Sequence, residues 1–401
     1  MRRPLAVVAV VTGVLLGISA LYRAFNPGNA DGYLPQSPSE VLETVPARKT
    51  DALSQRIERL QEALRQNPAA LDAAVELARL WVEEGRARGD PRMLGYAQAA
   101  LSPWWELPSP PEEVLLLRAT LKQSLHHFEE SLQDLDLLLK GNPQNGQAWL
   151  TRAVVQTVLG DYAQAEASCQ PLFGLAGNLV ATVCLTNAQS LHGQAKASYR
   201  RLELALRQAP EYLSLSERSW ALSTLADAAA RAGDLDAAEG YLERAVALDP
   251  GSHFLRAAIA DLLLDAHRPA EVLTLLGEDR QDDALLLRRV LAEIALGKSS
   301  PDSDALRERY QASHQRGDSL HRREEARFVL GVEHDIARAL DLARENWKVQ
   351  REPWDARILL AAALANKSRE AAAPVLESLK KNHTEDPVLL GLARQVEVLA
   401  Q

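Results

Sequence analysis

Residues Asn346–Arg357 read NWKVQREPWDAR, two tryptophans, five charges and a proline in twelve positions. Indole faces beside guanidinium groups can stack on a planar group or grip a peptide. Trp347, Arg351 and Trp354 are therefore the densest candidate recognition patch. The bland alternative is a joint. Tryptophan buries a large area, so the pair would staple two helices while Arg344, Arg351, Glu352 and Arg357 hydrate the seam. The joint is the preferred reading. His321–Phe328, HRREEARF, has similar density.

Other chemistry-bearing residues are scattered. His126 and His127 are adjacent, so on a helix they would diverge by about 100° and could not share an ion. His321 with Glu324 or Glu325 has chelating spacing, but no second cluster completes a ligand set. GKSS at Gly297 lacks the first glycine of a phosphate loop, since position 292 is alanine, and a helix rather than a strand precedes it. Neither G-x-S-x-G nor H-E-x-x-H occurs. No catalytic residues, metal or cofactor are expected.

The elements that would position these residues are helical. Of the 401 residues, 47% are hydrophobic and 25% charged, ordinary values for a folded chain. Alanine and leucine dominate, and both favour helices. Net charge is −9, without the cationic face that nucleic-acid binding requires. Two cysteines, Cys169 and Cys184, are too few for a disulfide-stapled miniature fold.

The chain opens MRRPLAVVAVVTGVLLGISALYRAF. The apolar run Leu5–Tyr22 is near the roughly 20 residues needed to cross a bilayer and longer than the usual core of a cleaved signal. A retained signal anchor over 1–23 is the expectation, and cleavage after Ala20 or Ala30 is the alternative. Arg2 and Arg3 favour a cytoplasmic N-terminus. Residues 24–50, rich in proline and glycine, read as a linker, and 51–401 as the folded body.

That body repeats itself. GDYAQAEASCQPL from Gly160 parallels GDLDAAEGYLERAVALDP from Gly233. Prolines 143, 210 and 250 fall near multiples of a unit of about 34 residues. Unit 146–179 carries Trp149, Ala153 and Ala165 at positions 4, 8 and 20. Unit 112–145 carries Leu115, Ala119 and Pro143. Unit 219–252 carries Ala226, Ala238, Ala245 and Pro250. Unit 179–212 carries Ala205 and Pro210, with Ser198 where alanine is usual.

This resembles the tetratricopeptide repeat (TPR), with the best units in 112–252 and looser ones flanking them. The two charged stretches resemble those of bacterial membrane-anchored TPR proteins of unassigned role. The resemblance implies an all-α, TPR-like helical-pair solenoid, wound as a right-handed superhelix, behind one N-terminal transmembrane helix. Further pairs are expected at 253–276, 284–316, 319–348 and 354–381, then a helix at 387–400. It also implies a concave partner groove on the first helices: Gln147, Leu150, Val154, Thr157, Asn187, Ser190, Trp220, Ser223, Asp227 and Arg231. Leu150 and Val183 stand where a carboxylate clamp would need lysine, so an extended or helical peptide fits better than an acidic tail. Cys169, on a second helix, and Cys184, on the following first helix, are then near enough for a disulfide, or are two small core residues.

The expected function is a membrane-tethered scaffold or adaptor for protein partners of the cell envelope, at the bacterial inner membrane and facing the periplasm. Neither nucleic acid nor a small-molecule substrate is expected as a partner. The alternative is a periplasmic assembly chaperone for one client, with secretion to the periplasm if the leader is cleaved. An enzyme is the reading with least support.

Overall fold

The structure, a computed structural model, describes residues 52–88, 90, 92–210, 213–315 and 321–399. The expected anchor and linker lie outside these residues. Among the described residues no helix is long and apolar enough to cross a membrane, and no strand occurs.

The helices in chain order are α1 (Ala52–Gln66), α2 (Leu71–Arg88), α3 (Arg92–Ala100), α4 (Ser102–Trp105), α5 (Glu112–Ser124) and α6 (Phe128–Gly141). Next come α7 (Gly146–Val158), α8 (Tyr162–Cys169), α9 (Leu172–Leu175), α10 (Asn178–Leu191), α11 (Ala195–Arg207), α12 (Leu215–Arg231) and α13 (Leu235–Leu248). Then follow α14 (His253–Asp265), α15 (Pro269–Leu276), α16 (Asp283–Ala295), α17 (Asp302–Gln315) and α18 (Arg322–Phe328). Last are α19 (Ile336–Val349), α20 (Pro353–Ala365), α21 (Arg369–Lys381) and α22 (Pro387–Glu397). The chain divides into two units, 1–48 with 303–321, and 49–302 with 322–401. The described part of the first is most of α17, where Leu306 and Tyr310 are buried. The rest concerns the second.

The repeating element is an antiparallel pair. α5/α6, α7/α8, α10/α11, α12/α13, α14/α15, α18/α19 and α20/α21 each pack as one. The first helices also pack on one another in two runs, α5 on α7, α7 on α10 and α10 on α12, then α14 on α16, α16 on α18, α18 on α20 and α20 on α22. Ala119, Ala153, Ala165, Ala226, Ala238 and Ala245 are buried, which lets the helices of a pair approach closely. Ser198, at the usual alanine position, is 1% exposed. α20 begins at Pro353, in the first turn, where a missing amide proton costs no helical bond.

Six of the seven turns between paired helices follow one design. The residue in the left-handed conformation is His126, Gly160, Gly193, Gly233, His267 or Lys367, while the turn from α18 to α19 runs through a π-helical segment, Val329–Glu333, to left-handed His334. The next amide reaches back to close the helix, as in Asp161 N–H to Gln156 O, Asp234 N–H to Ala229 O and Arg268 N–H to Leu263 O. This is the Schellman end. His126 therefore sits in a turn rather than on a helix, unlike the sequence expectation. Three second helices are capped by their own side chains: Asp234, Asp335 and Ser368 each accept an amide proton of the first turn. α6, α8, α11 and α15 have no such cap, and at α11 the residue that fails to supply it is Gln194.

Candidate partner groove and its closure by the chain

The expected groove residues lie on α7, α10 and α12. On α7, Gln147 and Val154 are exposed and Leu150 and Thr157 half-buried. Gln147 Nε2 lies 3.4 Å from Thr151 Oγ1. Thr157 bonds its hydroxyl back to Ala153 O. This part presents uncharged apolar and hydrogen-bonding groups. On α10, Asn187 is half-buried and Ser190 is 2% exposed. On α12, Trp220 packs on the core of Leu179, Val183, Leu202, Ala221 and Leu225. Ser223 is buried and donates to Trp220 O.

Ser190, Asp227 and Arg231 converge. Arg231 donates to Ser190 Oγ at 2.7 Å and lies 3.7 Å from Asp227. The Asp227 side chain is 52% exposed. Loss of bulk water raises its pKa, Arg231 opposes that, and Glu352 and Asp386 add to it.

Those last two acids come from far along the chain, and no repeat position places them here. The segments around 351 and 383–387 lie over three successive turns. Arg351 N–H donates to Val158 O at 2.7 Å, beside Gly160. Tyr162 Oη donates to Arg351 O at 3.4 Å, and burial pushes this phenol up to about 12. His383 lies on Gly193, where an added Cβ would meet His383 Cβ at 2.9 Å and its carbonyl oxygen at 3.1 Å. Pro387 lies over Gly233. Glu385 Oε2 accepts the amides of Ala195 at 2.7 Å and Lys196 at 3.4 Å. The carboxylate that caps α11 thus comes from about 190 residues away. We call this set of contacts the clasp. Between it and the groove residues remains a cavity of about 20 Å³, lined in part by Tyr162, Ser190, Arg231, Trp347, Glu352 and Asp386.

NWKVQREPWDAR is both a joint and half of the clasp. Trp347 is buried at the end of α19. Asp355, 0% exposed, accepts from Asn346 Nδ2 at 2.8 Å and Gln350 Nε2 at 3.2 Å, and takes the Glu352 amide at 2.7 Å. Burial raises its pKa to about 6 against the pull of Arg323. Trp354 has Arg327 4.5 Å from its ring centroid and Arg357 at 4.2 Å. Arg357 forks onto Asp265, and Arg327 donates to one oxygen of the buried Asp261, whose other oxygen holds Arg288. These contacts commit Trp354 and its arginines within the chain, which the stacking-patch reading did not require.

Cys169 and Cys184 are joined, with Cα atoms 5.7 Å apart, tying α8 to α10. They sit in a core with Ala153, Leu172, Ala181 and Leu185.

No protein-family profile matches the chain, and no curated protein matches it. Solved structures of helical-repeat proteins do. A TPR protein from Parabacteroides merdae is 14% identical, with 77% of this chain and 99% of that one covered and a TM-score of 0.36. A human IFIT1 dimer with PPP-AAAA is 12% identical, covering 88% and 95%, with a TM-score of 0.45. Yeast Tom70 is 13% identical, covering 86% and 92%, with a TM-score of 0.35. The TPR-like character is carried by the helix pairs, their spacing and their packing.

Proposed function

We propose that this chain is a membrane-tethered scaffold of the bacterial cell envelope that binds a protein partner along the first helices of its repeats. The observation that carries the reading is the face of α7, where Gln147, Leu150, Val154 and Thr157 stand exposed or half-buried without a charge among them. Uncharged contact groups suit an extended or helical peptide, whose backbone needs hydrogen bonds and whose side chains need apolar area. The apolar run Leu5–Tyr22 behind Arg2 and Arg3 supports tethering with the body on the periplasmic side. The Cys169–Cys184 bridge supports the same side, because disulfides persist in the oxidising periplasm. The role is binding rather than catalysis.

The test is photocrosslinking in cells from a residue placed at Val154 of the full chain, with mass spectrometry of the membrane fraction. One dominant envelope protein captured at Val154, and not at exposed Glu243 on α13, supports the scaffold. Many unfolded clients favour the chaperone. No capture at Val154 rejects the groove reading.

A further inference from the structure

The groove does not run open through all three of its helices. Ser190 and Arg231 lie behind the clasp, where the space left is about 20 Å³, on the scale of a single water, while the Asp227 side chain beside them stays 52% exposed. Arg231 spends its hydrogen bonds inside the chain, on Ser190 and toward Asp227.

The clasp is also separable from the rest of the fold. In a helical-repeat array each repeat holds mainly to its neighbours. The clasp instead joins Val158 to Arg351, Ala195 to Glu385 and Tyr162 to Arg351. None of these three bonds joins adjacent pairs, although Glu352 in the same segment also pairs with Arg323 of α18 at 2.9 Å. The clasp's named bonds are backbone amides, one phenol and one carboxylate, groups that water can also satisfy once exposed, at a modest net loss that is greatest for the charge-assisted bond.

We propose that the clasp is an autoinhibitory contact: residues 350–353 and 382–387 hold the Ser190–Arg231 end of the groove shut, and a partner reaches it only when they lift. The proposal rests on the groove reading of the preceding subsection. Glu385 is the element most easily removed, because its carboxylate caps α11 where Gln194 supplies no side-chain cap. The three turns beneath it carry glycine, and at Gly193 a side chain would collide with His383.

The experiment uses the full chain with a Ser190→Cys substitution and N-ethylmaleimide as the probe. The native cysteines are paired, so the new thiol reports alone. A parallel chain carries Ser131→Cys on α6, a position 0% exposed and hydrogen-bonded to Ala119 O. Glu385→Ala is then added to each. Loss of a charge-assisted hydrogen bond should speed labelling at 190 about tenfold or more and leave 131 unchanged. Equal acceleration at both positions means general loosening and overturns the proposal. So does unchanged labelling at 190. Hydrogen exchange over 178–191 against 128–141 in the Glu385→Ala chain, without added cysteine, must give the same contrast; its absence also overturns the proposal. None of these readouts needs a partner, so failure of the crosslinking experiment is distinguishable from failure here.

Discussion

At the scale of the residue, two buried charges decide how the chain answers to pH and to mutation. Asp355 has a pKa raised to about 6 by burial, while Arg323 pulls it down and Glu352 pushes it up; unfolded, it would sit near 3.9. The folded state therefore binds the proton more tightly. Its contribution is complete below about pH 4 and is lost as pH rises through about 6. Asp355→Asn removes that slope, so melting curves from pH 4.5 to 7.5 should show the variant gaining on wild type as pH rises. Parallel curves would refute the assignment. Asp134 is the contrasting case, held by Arg118 at 2.6 Å and Lys122 at 2.9 Å with its side chain 7% exposed. Asp134→Ala strands a buried guanidinium, which costs about 3–5 kcal/mol. Arg118→Met with Asp134→Leu should recover much of that in urea unfolding.

At the scale of the element, the turns between paired helices carry the lesson. Gly193, in the turn between α10 and α11, and Gly297, just after α16, both have positive φ, 71° in each case, but only Gly193 has a neighbour that a side chain would strike. Gly297→Ala should cost about 1 kcal/mol from conformation alone. Gly193→Ala should cost more, by the displacement of His383, and equal losses in thermal unfolding would show that the approach at 193 is not tight. The Cys169–Cys184 bridge closes a separation of 15 residues and should contribute about 3 kcal/mol in the chain-entropy model. A lowered melting temperature under reductant, with helical content kept at 25 °C, checks it. Helices were legible because periodicity, small residues at fixed offsets and Gly-Asp pairs are local signals. That His126, His267 and Lys367 fill the same left-handed position as Gly160 was not legible, since histidine and lysine carry no turn signature. The groove on α7 could be read from repeat position, but the burial of Ser190 could not, because what covers it is encoded some 190 residues away. The one trace in the sequence was the density of NWKVQREPWDAR, richer than a simple joint requires.

At the scale of the whole repeat unit, the clasp changes which end comes undone first. An array held by neighbours frays from its termini, where each last repeat has one interface instead of two. Here α20 to α22 are tied back onto the turns at Gly160, Gly193 and Gly233. Hydrogen exchange should show α21 and α22 protected nearly as well as α12 and α13, while α1 and α2 exchange faster. Faster exchange in α22 than in α1 would contradict the tie. A chain built by adding one repeat to the next has gained a constraint that no single repeat contains. Cutting the protein after residue 352 would therefore do more than shorten it, because the array would regain a second loose end in its middle, at the three glycine turns.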